Sequence, residues 1–271
     1  MTLPYFEFYP VPGFESGKLA GTTLLMPGPN GLGNIGQLAL DLLISSLDLI
    51  RVGFISSTLV LPVCGNEDYG NETAPNTLHT SFEVYQSRPS NTTSITLIQI
   101  RSPVIPKKGV LFSKSFAHWA QQMAFESVVL VTAADAGRRV DGQIRSDRLR
   151  FISTCDKHAH ADRLQQLGFP KLEANETKHA WVASDLASPI PPGAGVSRFI
   201  FDELRDISVP LLTLIWFAIE GDNYQDALQL ASAVRSLVNQ GEDDSERNTW
   251  KTPLSWKGLY GNAMFTKALF Q

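Results

Sequence analysis

The sequence predicts an α/β protein, a single mixed, largely parallel sheet flanked by helices, on three observations. The first is the stretch Thr22 to Leu47. An apolar strand (Leu24, Leu25, Met26) meets a glycine-rich turn (Gly28, Gly31, Gly33, Gly36) and a helix carrying Ile35, Leu38, Ala39, Leu42, Leu43 and Leu47, the first half of a βαβ unit. The second is Arg51–Ser57, where Val52, Phe54 and Ile55 supply another strand; a right-handed crossover would lay it parallel beside the first. The third is the alternation that follows. Ser94–Arg101 is apolar on both faces, as a central strand is; Gly109–Ala124 places Phe112, Phe116, Trp119, Ala120 and Met123 at helical spacing; and Val128–Thr132 reads as another buried strand.

The other elements follow in order. Leu59–Leu61 leads into a polar surface loop, Gly65 to Asn76, before a short strand at Phe82–Tyr85. From Ala136 to Arg150 the composition turns to Gly, Asp and Arg. This is expected to be a solvated loop in which Asp135, Asp141 and Asp147 balance Arg138, Arg139, Arg145, Arg148 and Arg150, the alternative being a partner-binding patch. Phe151–Ser153 reads as a strand, His160–Leu167 as a helix, and Pro189–Gly195 as a loop before a helix at Ser197–Leu204 that Ser197 would cap. A buried segment, Val209–Ile219, precedes a long helix that starts near Asp222 or Asn223 and runs to Leu237. Asp222 and Gln225 have the spacing of a capping box. Residues 241–248 are acidic and expected to be flexible. Residues 250–271 turn aromatic again (Trp250, Trp256, Tyr260, Phe265, Phe270), so this tail is expected to dock on the domain or on another molecule. The whole, 1–271, is read as one domain.

With 43% hydrophobic and 18% charged residues in 271, the chain has the composition of a soluble globular protein with a substantial core. A net charge of −4 gives no general field toward nucleic acid or acidic membrane. The first ten residues lack the basic and continuous apolar regions of a signal peptide, so secretion is not expected. Val209–Ile219 is well short of the roughly 20 residues a membrane span needs. Cys64 and Cys155 suit reduced thiols in cytosol or nucleus, and the Asn-x-Thr sequons at Asn71, Asn91 and Asn175 read as chance matches.

Chemistry is harder to find. Gly31-Leu-Gly-Asn-Ile-Gly36 is a literal GxGxxG after a strand, the pattern that seats a pyrophosphate on a helix N-terminus. Its second requirement is an acidic residue about 20 positions on, for the ribose. Ser56, Ser57 and Thr58 stand there instead. Gly33 and Gly36 are therefore read as structural, tightening the turn, and no cofactor is expected. Gly193-Ala-Gly195 precedes a helix but lacks the Lys-Ser/Thr of a phosphate loop, and no GxSxG elbow occurs. Cys155, His158 and His160 have a metal-like look without a fourth ligand nearby, so a polar loop is expected there and no metal. Capping and the helix dipole account for Glu220, Asp222 and Asp226. The alternative function from residues alone is a nucleotide- or nucleoside-binding enzyme that uses Gly31–Gly36 or Gly193–Gly195.

Several segments in one order resemble the proteasome assembly chaperone 2 family: Thr23-Leu-Leu-Met-Pro with Gly33-Asn-Ile-Gly-Gln-Leu-Ala-Leu-Asp-Leu-Leu-Ile, Gln143-Ile-Arg-Ser, Pro192-Gly-Ala-Gly-Val, Glu220-Gly-Asp-Asn-Tyr-Gln-Asp-Ala-Leu, and Ser255-Trp-Lys-Gly-Leu-Tyr-Gly. The resemblance implies a non-enzymatic protein with a fold like that of nucleoside phosphorylases but no active site. It also implies a heterodimer with proteasome assembly chaperone 1 that caps an assembling α-ring, prevents off-pathway ring dimers, and resides in cytoplasm and nucleus. Two polar stretches, Gln86–Asn91 and Gly241–Asn248, read as inserts. The tail Leu269-Phe270-Gln271 is similar to the hydrophobic–tyrosine–any motif of proteasome activators without equalling it. Those three residues are expected to insert between adjacent α-subunits, a terminal carboxylate pairing with a lysine; the alternative is that they pack beside Trp256 and Tyr260.

Overall fold

The computed structural model describes residues 6–66, 69, 78–88, 95–155, 158–173, 188–238 and 249–256. In chain order the elements are β1 (Glu7–Pro10), β2 (Thr23–Pro27), α1 (Ile35–Ser46), β3 (Ile50–Ser56), β4 (Cys64–Asn66), β5 (Leu78–Thr80), β6 (Phe82–Gln86), β7 (Ile95–Ile100), α2 (Gly109–Gln122), β8 (Ser127–Asp135), α3 (Asp141–Ile144), β9 (Leu149–Ser153), α4 (Ala159–Gln166), α5 (Ser197–Asp206), β10 (Leu211–Ala218) and α6 (Tyr224–Val238). Eight strands form one mixed sheet in the order β1-β3-β6-β7-β2-β8-β10-β9, and β4 and β5 pair separately where the sequence suggests only loop. The centre, β7-β2-β8-β10, is parallel, and antiparallel strands close both margins.

One expectation is corrected here. β3 runs in the same direction as β2 but is not its neighbour, because β6 and β7 stand between them. Those two strands pair antiparallel from Phe82↔Ile100 to Gln86↔Thr96, and β7, buried along its whole length, takes the place beside β2.

Strand side chains alternate between two cores, as the period of two requires. Leu24 and Met26 of β2, Val128 and Leu130 of β8, and Ile215 and Phe217 of β10 meet Phe112, Phe116 and Trp119 of α2 and Ile200, Phe201 and Leu204 of α5. Leu25, Val129, Val131, Leu212 and Leu214 meet the opposite layer, Leu38, Leu42 and Leu43 of α1, Leu164 of α4, and Leu230, Val234 and Leu237 of α6. Three of these helices end on a left-handed residue that is not glycine: Asp48 after α1 (φ 49°), Ala124 after α2 (φ 55°) and Ser208 after α5 (φ 58°). After Asp48 and Ser208 the next N–H donates five residues back, Leu49 to Ile44 O (3.1 Å) and Val209 to Leu204 O (3.1 Å).

Local expectations are corrected at three more places. Arg150 is not on a solvated loop; it is 2% exposed in β9, donating to the carbonyls of Asp147 (2.6 Å) and Leu149 (2.9 Å) and to Ser146 Oγ (2.5 Å). Burial holds its guanidinium below the usual range. Ser197 does not cap α5: Val196 holds the cap position, and the Ser197 hydroxyl donates to Thr132 Oγ1 (3.0 Å). At α6, Asp222 accepts from Tyr224 N two residues on (3.2 Å), and the side chain that pairs three residues apart is Asn223, which donates to Asp226 Oδ2 (3.0 Å). The stretch 241–248, residues Tyr260, Phe265 and Phe270, the sequons, and most of 65–76 lie outside the described residues.

Over β3, β6 and β7 the α1 face of the sheet carries a buried polar network. Glu83, fully buried, accepts from Arg51 Nη1 (3.0 Å), Thr80 N (3.0 Å) and Tyr85 Oη (2.7 Å), with His79 Nδ1 at 2.5 Å. Burial alone would raise its pKa, but His79, Thr80 and Tyr85 favour the carboxylate enough to leave it below the ordinary value. Asp41 of α1 accepts from Gln99 Nε2 (2.5 Å) and from the Tyr69 hydroxyl, and Arg101 Nη2 lies 3.4 Å away. These contacts pin β5 and Tyr69 to the sheet. Glu83→Leu is expected to cost about 3–5 kcal/mol, the range for stripping one partner from a buried charge, at its lower end because Arg51 retains some access to water. Urea unfolding at pH 7 checks this, and a loss below about 1 kcal/mol would show the network to be dispensable.

Candidate functional site

The glycine-rich turn leaves β2 at Pro27 and enters α1 at Ile35. Over it lies the 190–196 loop that enters α5. The two segments are bonded backbone to backbone: Leu32 N–H donates to Gly193 O (2.9 Å), Val196 N–H to Pro29 O (2.9 Å), and Gly28 N–H to Val131 O on β8 (2.7 Å). Side chains have been removed wherever they would obstruct this. A Cβ on Gly36 would lie 2.2 Å from Val131 O, one on Gly195 2.3 Å from Pro29 O, and one on Gly193, at φ +94°, 2.8 Å from Asp135 N. Gly33 takes φ +59°, and a Cβ there would meet Asn223 Oδ1 at 2.3 Å.

An anion cradle needs free N–H groups aimed at one point. Here the N–H groups of Gly28, Gly31, Leu32, Asn34 and Ile35 all have backbone acceptors within the two segments or on β8. The fold brings together the two glycine motifs the sequence flags, Gly31–Gly36 and Gly193–Gly195, and joins them directly through the Leu32 N–H and the Gly193 carbonyl. Two depressions among the described residues, of about 400 Å³ beside Val63, His79, Arg101 and Leu254 and about 330 Å³ beside Arg148, Phe169 and Trp216, have no residue of either glycine motif in their lining.

What the fold does gather at this edge is surface. The C-terminal ends of the parallel strands carry the Gly33–Gly36 turn, Gln143–Ser146, Pro192–Val196 and the segment from Glu220, and the described part of the last motif, Ser255 and Trp256, reaches it through Trp256, whose ring packs edge-on to Tyr224 (5.8 Å). Asp226 ties the edge together, accepting from Trp216 Nε1 (2.8 Å), Arg148 Nη1 (3.0 Å) and Asn223 Nδ2 (3.0 Å). That role was not legible in sequence, where capping and the helix dipole accounted for Asp226. Ile219, 76% exposed, and Ile144, 53% exposed, face water beside it. Leu269, Phe270 and Gln271 lie outside the described residues.

At the opposite edge, His158 and His160 lie with ring centroids 5.6 Å apart, and His160 Nε2 is 3.2 Å from Thr23 Oγ1. Among the described residues no three His, Cys, Asp or Glu side chains are grouped so as to hold a metal. Burial favours the neutral imidazole at both positions and pulls His158 down to about 4.

Comparison with known proteins places these features in a family. A sequence model described as the PAC2 family matches residues 25–209. The chain is 32% identical to proteasome assembly chaperone 2 of Danio rerio over 257 residues, covering 94% of this chain and 95% of the relative. It is 30% identical to proteasome assembly chaperone 2 of Homo sapiens, covering 93% and 96%. Among solved structures it is similar in fold to Pyrococcus furiosus PbaA, an archaeal homolog of proteasome-assembly chaperone, with a TM-score of 0.58 at 14% identity over 89% of each chain. Pyrococcus furiosus PbaB, an archaeal proteasome activator, gives 0.58 at 12% identity over 90% of this chain and 93% of that one.

Gly36→Val is expected to destabilise by about 3 kcal/mol, the upper end of the cost of overpacking, since the obstructing atom is backbone and cannot swing aside. Gly33→Ala, which meets a side chain and a left-handed backbone, should cost only about 1–2 kcal/mol. Chemical denaturation of both variants measures this, and wild-type stability in Gly36→Val would refute the close approach. The His158 shift also carries a sign. Its folded pKa lies below the unfolded value of about 6.5, so its contribution is complete above pH 6.5 and is lost as pH falls toward 4. His158→Phe should flatten the stability profile across that window relative to wild type; parallel profiles would contradict it.

Proposed function

The chain belongs to the PAC2 family, as a relative of proteasome assembly chaperone 2, and on that premise we propose that it is a non-enzymatic chaperone of 20S proteasome assembly. It acts as a heterodimer with the paralogous proteasome assembly chaperone 1, promotes α-ring formation and prevents off-pathway ring dimers, in cytoplasm and nucleus. The observation that carries this is kinship at about 30% identity along nearly the whole length of proteins so named. The architecture is consistent with it: of the two motifs that suggested a nucleotide, Gly31–Gly36 has the N–H groups of Gly31, Leu32, Asn34 and Ile35 bonded to the protein's own carbonyls, while Ile219 and Ile144 stand exposed. A partner interface on the order of 2,000 Å² in total is expected for an obligate pair.

The tail belongs to the same proposal. Leu269 and Phe270 supply an apolar pair suited to a slot between α-subunits, and Phe270 lacks the tyrosine hydroxyl of the activator motif, which removes a hydrogen bond of roughly 0.5–1.5 kcal/mol. Affinity capture of the tagged chain with mass spectrometry should recover the paralogous chaperone and α-subunits without β-subunits. Recovery of neither would overturn the proposal. Deleting Leu269–Gln271 should weaken α-ring binding and leave the heterodimer's melting temperature unchanged, whereas full ring affinity with a lowered melting temperature would put the tail on its own domain.

A further inference from the structure

We draw no further inference here: the strongest candidate, the depression beside β4 and β5 that the exposed Val63 and Leu254 line together with His79 and Arg101, carries nothing because nothing in the structure shows what covers it.

Discussion

The close approach of two glycine turns over the end of β8 is the constraint on which the architecture depends. α1 lies on one face of the sheet and α5 on the other, and their entry segments meet at this point. Gly36 brings the first turn of α1 against the backbone of Val131, while Gly195 lets the opposite loop touch Pro29 and Asn30. Any side chain at either position would push a helix away from the sheet and reopen a core that is otherwise closely packed. Beneath the junction, the Ser197 hydroxyl donates to Thr132 Oγ1, which in turn donates to the Ala194 carbonyl, so both hydroxyls are partnered.

The same constraint bears on function. In open α/β sheets the carboxyl ends of the strands are where ligands bind, because loops diverge there and leave a crevice. In this protein the loops converge, and the N–H groups of Gly28, Gly31, Leu32, Asn34 and Ile35 are already bonded to carbonyls. The outer surface of that edge carries the exposed Ile144 and Ile219 and the Asp226 cluster.

Much of this was legible in sequence, and the exceptions have physical causes. Apolar periodicity located the central strands because they are buried on both faces. Strand order was not legible: β2, α1 and β3 read as a simple crossover, and nothing local reveals that a hairpin will take the place between them. Arg150 misled because five arginines in a polar stretch look alike, although one of them folds back onto carbonyls of its own turn. The burial of Glu83 was not legible either, because it depends on partners from β3, β5 and β6 that meet only in the fold. Asp48 and Ser208 gave no stop signal because both ends use a left-handed residue other than glycine.

A thermal-shift titration of the purified chain with NAD, nucleosides and inorganic phosphate tests the closed junction most directly, since any ligand that binds only the native state must raise its stability. The closed junction predicts no shift with any of the three at millimolar concentration. A saturable rise in melting temperature that Gly193→Ala or Gly36→Ala abolishes would contradict it and return the glycine turns to the role of a ligand site.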